Sequence, residues 1–330
     1  MKVLVVGGAG YIGAHTVRML QAEGHSPIIL DNLSAGHAEA ARRLGVPVEV
    51  VDLGDKEKVA VLLAQHRPEA VMHFAAFALV GESVTHPSKY YHNNVIATIN
   101  LLDAMRDQGV KRFIFSSTCA TYGNPIRPAL DETHPQQPIN PYGWSKFMVE
   151  QILKDYDRAY GIKHVALRYF NAAGSSPDGL IGEDHDPETH LIPVCFQAIQ
   201  GKRSGVTIFG TDYDTPDGTC IRDYIHVDDL AKAHIQAIDY LVKGNPSVML
   251  NCGTGHGHSV REVIDCVEAV TGKKLEVTIG ERREGDPPVL VASAGKIRSL
   301  FGWSPKYTEL RPIVETAWTW FQRGGKYEAR

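Results

Sequence analysis

The chain has 330 residues, 43% of them hydrophobic, which is enough apolar material for a large core and more length than one domain commonly uses, so two lobes are expected. A formal net charge of −4 with both signs interspersed leaves no broad basic surface and argues against nucleic acid as a partner. Cys119, Cys195, Cys220, Cys252 and Cys266 are odd in number and contain no C-x-x-C pair, which argues against a disulfide framework and fits a reducing cytoplasm.

The first element is Val3 to Val6, a short all-apolar run of the kind a strand buried on both faces of a parallel sheet requires. It breaks at Gly7-Gly8 without a signal-peptide pattern, and no later segment is apolar for long enough to cross a bilayer, so no membrane association is expected. Gly7, Gly10 and Gly13 follow at GxxGxxG spacing. Gly7 permits a tight turn, Gly10 lets backbone approach a pyrophosphate, and Gly13 allows close helix packing. A helix opening near Tyr11 and Ile12 supplies amides and a positive dipole end.

A second strand, Ile28 to Leu30, ends in Asp31-Asn32, at about the offset where an acid holds the adenosine ribose. That acid favours NAD over NADP, because a 2′-phosphate would meet a carboxylate; an ordinary turn-capping Asp is the alternative. Further strands are predicted at Val46 to Val51, Ala70 to Phe74, Arg112 to Ser116 and His164 to Tyr169. Helices are predicted at Lys56 to Gln65, Lys89 to Asp107 and Pro141 to Tyr160. The alternation predicts an α/β fold, a doubly wound parallel-sheet Rossmann domain over 1–173. A smaller mixed α/β domain is predicted over 174–330, with a soft boundary and a chain free to cross between lobes. Ligands of such sheets bind at the carboxyl ends of strands, which marks Asp52-Leu53, Phe74-Ala75-Ala76, Ser116 to Thr118 and Tyr169 to Asn171.

Asn140-Pro141 reads as a helix start, so Tyr142 and Lys146 share one helical face. At about 4 Å and an effective dielectric near ~20, the ammonium favours the phenolate by roughly 4 kcal/mol before desolvation opposes it. Tyr142 is therefore expected to accept a proton near neutrality; a surface helix that merely carries both residues is the alternative. Beyond 174 the pattern predicts a helix at Ile192 to Gln200, a strand at Arg222 to Val227 leading into a helix at Asp228-Asp229-Leu230, and a strand at Leu275 to Ile279. Arg222 is free either to bind an anion or to pair with Asp223. Asp184-His185-Asp186 and His256-Gly257-His258 lack a third ligand in register, so no metal is expected. Trp318 and Trp320 are expected to pack in the core or an interface.

The glycine loop, the Tyr-x-x-x-Lys pair, Val80-Gly81-Glu82-Ser83, Tyr90-Tyr91 with Asn93-Asn94, Tyr122-Gly123, Arg168 to Asn171, Arg222 to Val227 and Arg282 to Asp286 together resemble the extended short-chain dehydrogenase/reductases. Within them the chain is similar to the UDP-glucose 4-epimerase family from end to end. The resemblance implies tightly bound NAD, contacted also by Asn93, Ser116 and Tyr169, and a UDP-sugar inverted at C4 through a transient 4-keto intermediate. It assigns Thr118 as bridging hydroxyl, Tyr142 as base, and Lys146 as its electrostatic partner and a nicotinamide-ribose ligand. It assigns Asn171, His190, Arg222, Arg283 and Asp286 to the nucleotide sugar.

The resemblance also implies a homodimer built on the helices Lys89 to Asp107 and Pro141 to Tyr160. Phe77-Ala78-Leu79 offers no cation where some relatives place a lysine against the cofactor, so looser NAD retention is expected. UDP-pentoses and N-acetylated UDP-hexosamines remain alternative substrates, with Leu290 at the sugar pocket open to either. A 4,6-dehydratase is disfavoured because Cys119-Ala120 replaces the Asp-Glu that follows the threonine there. A non-catalytic NAD-binding regulator is disfavoured by the intact catalytic set.

Overall fold

The computed structural model describes residues 1–127, 129–283 and 286–327. Glu284 and Gly285, within the Arg282 to Asp286 motif, lie outside the described residues. Strands β1 (Lys2–Val6), β2 (Ser26–Asp31), β3 (Val48–Val50), β4 (Ala70–His73), β5 (Arg112–Thr118) and β6 (Lys163–Tyr169) alternate with helices α1 (Tyr11–Ala22), α2 (Ala38–Leu44), α3 (Lys56–His66), α4 (Val80–Thr85), α5 (Pro87–Tyr90), α6 (Ala97–Asp107) and α7 (Pro141–Tyr160). Then come β7 (Asn171–Ala173), α8 (Leu191–Ile199), β8 (Val206–Phe209), β9 (Ile221–His226), α9 (Val227–Val242) and β10 (Val248–Cys252). The chain closes with β11 (Gly257–Ser259), α10 (Val260–Thr271), β12 (Val277–Gly280), β13 (Val289–Leu290), α11 (Gly295–Phe301) and α12 (Leu310–Gln322).

A seven-stranded parallel sheet runs β10-β6-β5-β4-β1-β2-β3. The order reverses between β1 and β4, which creates the crevice where ligands of doubly wound sheets bind. Val3 to Val6 are fully buried, as a strand covered on both faces demands. One core cluster joins Val3, Val5 and Val17 to Leu230 and Ile238 of α9; the opposite cluster joins Leu4 and Val6 to Leu101 of α6 and Val149 of α7. Residues beyond 174 therefore return to this sheet, through α9 on one face and β10 at an edge.

The smaller lobe gathers β9 with β7, β11 and β13, a pair β8-β12, and helices α8, α10 and α12 around Phe196, Val263, Ile313 and Trp320. Ser259 and Glu262 form a reciprocal capping box that starts α10. Trp320 is buried, and Trp318 lies 5.0 Å from the Phe196 ring, so both tryptophans pack as expected.

One predicted element is interrupted. The stretch Lys89 to Asp107 is not one regular helix, because Tyr91–Ile96 widens into a π-helix. There Asn94 turns inward: its amide oxygen accepts from Phe77 N, and its amide nitrogen donates to Phe77 O and to Ser145 Oγ, each at 3.0 Å. Such wide turns recur at functional sites, and this one carries Asn93 into the cleft described next.

Candidate active site

A cleft of about 470 Å³ opens along the carboxyl ends of the main sheet, within the size range of small-molecule sites. Its floor is the glycine turn. Gly7 has φ 79°, and a Cβ there would lie 2.6 Å from Ala75 N; a Cβ on Gly13 would lie 2.1 Å from Gly7 O. Gly10 meets only Gly7 O, at 3.4 Å, so it leaves open room in front of α1. Helix α1 has no side-chain cap and no acid in its first turn, so its first amides are offered to an anion. The Tyr11 hydroxyl is engaged elsewhere, donating to Gly174 O at 2.7 Å. Tyr11 and Ile12 thus present backbone, not side-chain polarity, to a diphosphate.

Asp31 closes the next corner. Its carboxylate accepts from Ala9 N at 3.0 Å and Leu33 N at 2.8 Å. Burial pushes its carboxyl up while these amides pull it back. Asp31 therefore does turn work as well as facing the cleft with Asn32. Leu53 lines the cleft, whereas Asp52 does not: it accepts from Asn32 Nδ2 and Gly54 N, each at 2.6 Å, and fixes the loop that carries its neighbour. Phe74, Ala75, Ala76 and Asn93 continue the wall. The uncapped helix, the open glycine and the acid at the end of β2 fit a dinucleotide.

Parallel pairing of β5 with β6 sets Thr118 opposite Tyr169, so both reach the same sheet edge. Helix α7 starts where predicted. Asn140 Oδ1 accepts from Gly143 N at 2.8 Å, Pro141 follows, and a Cβ on Gly143 would lie 2.6 Å from Ala120 O, which lets the helix press against the loop after β5. Thr118, Tyr142 and Lys146 all line the cleft. The Thr118 hydroxyl beside the phenol of Tyr142 favours its ionised form.

The electrostatics depart from expectation. Burial pushes the Tyr142 phenol up, with Tyr169 adding to the rise, and the Thr118 contact does not offset it. Lys146 is also buried, and desolvation brings it down to about 7, so its charge is only partly present at neutrality. In the folded cleft burial sets both groups, and neither owes its main shift to the other, so the phenolate is not favoured as the i,i+4 spacing alone predicts. Ser116 does not line the cleft either. Its carbonyl accepts from Lys146 Nζ at 2.8 Å and its hydroxyl pairs with His234 at 3.0 Å.

At the other end, Asn171, Asp286 and Leu290 line the cleft, and Asn171 Nδ2 donates to Asp223 O at 3.2 Å. Arg222 and Arg283 do not line it. Arg222 pairs with Asp286 and not with Asp223, which is buried and accepts from Thr254, Gly255 and Ala292 amides. Arg283 is exposed and stacks 3.9 Å over the Phe209 ring.

His190 lines the cleft beside Glu183 and His185, with Glu188 behind. His185 is thus joined by three other donors, Glu183, Glu188 and His190, and not by the flanking Asp184 and Asp186. The signal was the repeated Glu-x-His, Glu183-Asp184-His185 and Glu188-Thr189-His190. Burial works against charge on His190, yet Glu183 and Glu188 outweigh it and hold the ring protonated; Glu183 is held down to about 2, against burial, by His190 and His185. No described helix is long and apolar enough to cross a membrane.

Comparison with known proteins places these features in context. Residues 3–253 match the model of the NAD dependent epimerase/dehydratase family. The UDP-glucose 4-epimerase of Rhizobium meliloti (strain 1021) is 52% identical over 322 residues, covering 98% of this chain and 97% of that protein. The crystal structure of the Brucella ovis UDP-glucose 4-epimerase in complex with NAD is 47% identical with a TM-score of 0.93, covering 96% of each chain. That of Stenotrophomonas maltophila, with bound NAD and formylated UDP-arabinopyranose, is 39% identical with a TM-score of 0.95, covering 98% of this chain and 99% of the other.

Proposed function

The chain belongs to the NAD dependent epimerase/dehydratase family, and from that premise we infer how its cleft inverts one carbon of a nucleotide sugar. The enzyme interconverts UDP-glucose and UDP-galactose through a transient 4-keto sugar, with NAD as cofactor. The observation that carries the assignment of roles is the convergence of the glycine turn, Asp31, Thr118, Tyr142 and Lys146 on a single cleft.

NAD, when bound, accepts the hydrogen that leaves C4 and later returns it to the same carbon. Gly7, Gly10 and Gly13 with the amides of Tyr11 and Ile12 hold its diphosphate. Asp31 and Asn32 hold the adenosine ribose, while Leu53 borders the adenine on the loop that Asp52 fixes. Phe74, Ala75, Ala76 and Asn93 form the wall between the two halves. Ser116 acts through Lys146, which with Tyr169 holds the nicotinamide end.

Tyr142 takes the proton of the C4 hydroxyl, directly or through Thr118, and gives it back when the alcohol reforms. Tyr142 would gain from NAD⁺, when the cofactor is held in this cleft, the positive charge that the buried Lys146 supplies only in part. Inversion requires the ketone to present its other face, so the sugar is loosely held while the UDP is gripped. Asn171, His190 and Asp286 in the cleft supply that grip, and Arg222 and Arg283, which do not line the cleft as they stand, would have to turn into it to join them. Arg222 is already seated beside Asp286, and register pairing of β13 with β9 sets Leu290 next to Arg222, so diphosphate and sugar pocket share one strand pair.

Self-association into a homodimer through α6 and α7 is supported by the exposed Ile96, Trp144 and Met148 beside or on those helices. A cytoplasmic location is supported by five free cysteines. The domain division at 173/174 is kept as a division of labour, cofactor first and nucleotide sugar second.

The test is to denature the purified protein and quantify released NAD(H), then follow UDP-galactose by proton NMR without added cofactor. Appearance of the gluco epimer with no net redox change is expected. Inactivity with a full complement of NAD would overturn the assignment.

A further inference from the structure

We propose that Glu183, His185, Glu188 and His190 form a binding site for one divalent transition-metal ion of the zinc, cobalt or nickel class at the rim of the cleft. One donor atom from each side chain lies within 4.8 Å of all the others. His185 Nδ1 stands 3.2 Å from Glu183 Oε1 and 3.8 Å from Glu188 Oε2; His190 Nδ1 stands 2.6 Å from Glu183 Oε1 and 3.4 Å from Glu188 Oε1. Donors about 2.0–2.1 Å from a tetrahedral ion are roughly 3.3 Å apart, so two of these contacts already suit one, while the 3.8 Å contact must close and the 2.6 Å contact must open by about half an ångström or more.

The imidazoles and carboxylates pair as ions, yet not all of their donor atoms reach hydrogen-bond geometry. Among the described residues, Glu183 Oε1 and His185 Nδ1 are buried without a hydrogen-bond partner, although they lie 3.2 Å apart. An ion bound there would take the place of the protons that these imidazole–carboxylate contacts now hold. Glu183 is 4% and Glu188 5% exposed. Two buried carboxylates with two imidazoles supply the charge and the mixed oxygen and nitrogen donors that borderline ions prefer over magnesium or calcium.

The surrounding contacts hold the segment in place. Glu183 O accepts from Trp320 Nε1 at 2.9 Å, Asp184 Oδ2 accepts from Tyr327 N at 2.9 Å, and Glu188 O accepts from Arg203 Nη2 at 2.7 Å. Glu188 Oε1 accepts from the amides of Thr189 and His190, at 2.8 and 2.9 Å, which leaves Oε2 toward His185. His190 is exposed and faces the cleft, so an ion reaches the four donors from that side.

The experiment uses untagged full-length protein, treated with chelator and titrated with Co²⁺. Uptake is followed by visible absorption and by equilibrium dialysis with elemental analysis. One Co²⁺ per chain at micromolar free metal, displaced by Zn²⁺, is expected, with affinity falling at least ~10-fold in both His185→Gln and Glu188→Gln. Unchanged uptake is expected in His256→Ala/His258→Ala, and released NAD serves as the check that each variant is folded. No uptake by the unaltered protein, or equal uptake in His185→Gln, would overturn the site and leave ordinary imidazolium–carboxylate pairs in its place.

Discussion

Lys146 in α7 donates a hydrogen bond of 2.8 Å to the backbone carbonyl of Ser116 in β5. The only ammonium lining the cleft among the described residues is thereby fixed to the sheet edge that carries Thr118. The bond partly compensates for taking a charged amine out of water, but burial still brings the group from 10.5 to about 7.

A stability consequence follows from that depressed value. Between about 7 and 10.5 the unfolded chain holds a proton on Lys146 that the folded chain does not, so stability rises with pH across this window and the penalty is largest below it. Lys146→Met should abolish epimerisation yet raise stability by about 1–3 kcal/mol at pH 6–7, with the gain shrinking toward pH 10. Urea denaturation at several pH values measures it.

Tyr142→Phe should retain NAD and lose ~10²–10⁴ in turnover, because the substitution removes only the oxygen proposed to accept the proton and keeps the ring. Released NAD and turnover are measured on the same preparation. Full turnover would show that the phenol does not carry the proton.

Asp31→Ala removes a carboxylate that both accepts two amides and faces the cleft. NAD content after gel filtration should fall by about 10–100-fold in affinity terms, and discrimination against a 2′-phosphate should relax. Side-by-side binding of NAD and NADP checks both.

Glu150 and Arg168 make a buried ion pair, 0% and 4% exposed, in which Ser117 Oγ donates to Glu150 at 2.6 Å and Arg168 Nη1 donates to Tyr122 at 2.9 Å. Glu150→Gln leaves an uncompensated buried guanidinium and should cost about 3–5 kcal/mol. Urea unfolding reads the loss, and a variant as stable as the parent would show that the network contributes nothing.

The parts legible in the sequence were those set by neighbours in the chain. Asn140-Pro141 announces α7 because a cap and a first-turn proline act locally, and Val3 to Val6 announces β1 because a strand covered on both faces must be apolar. What escaped depended on distant partners. Arg222 finds Asp286 across 64 residues, and Asp223, the alternative partner beside it in sequence, is taken by the Thr254 loop. Ser116 turns to His234, 118 residues away. The direction of the Tyr142 shift escaped because it depends on burial, which the i,i+4 spacing with Lys146 does not report. The Glu-x-His repeat was visible, but its two halves become one cluster only when the segment folds back against Trp320 and Tyr327.

The most direct test places deuterium at C4 of UDP-galactose and follows turnover in ordinary water without added cofactor. If hydrogen is lifted from C4 and restored to the opposite face within one cleft, the UDP-glucose formed keeps the deuterium at C4, read by NMR and mass spectrometry. Deuterium lost to solvent at the rate of epimerisation would contradict the account.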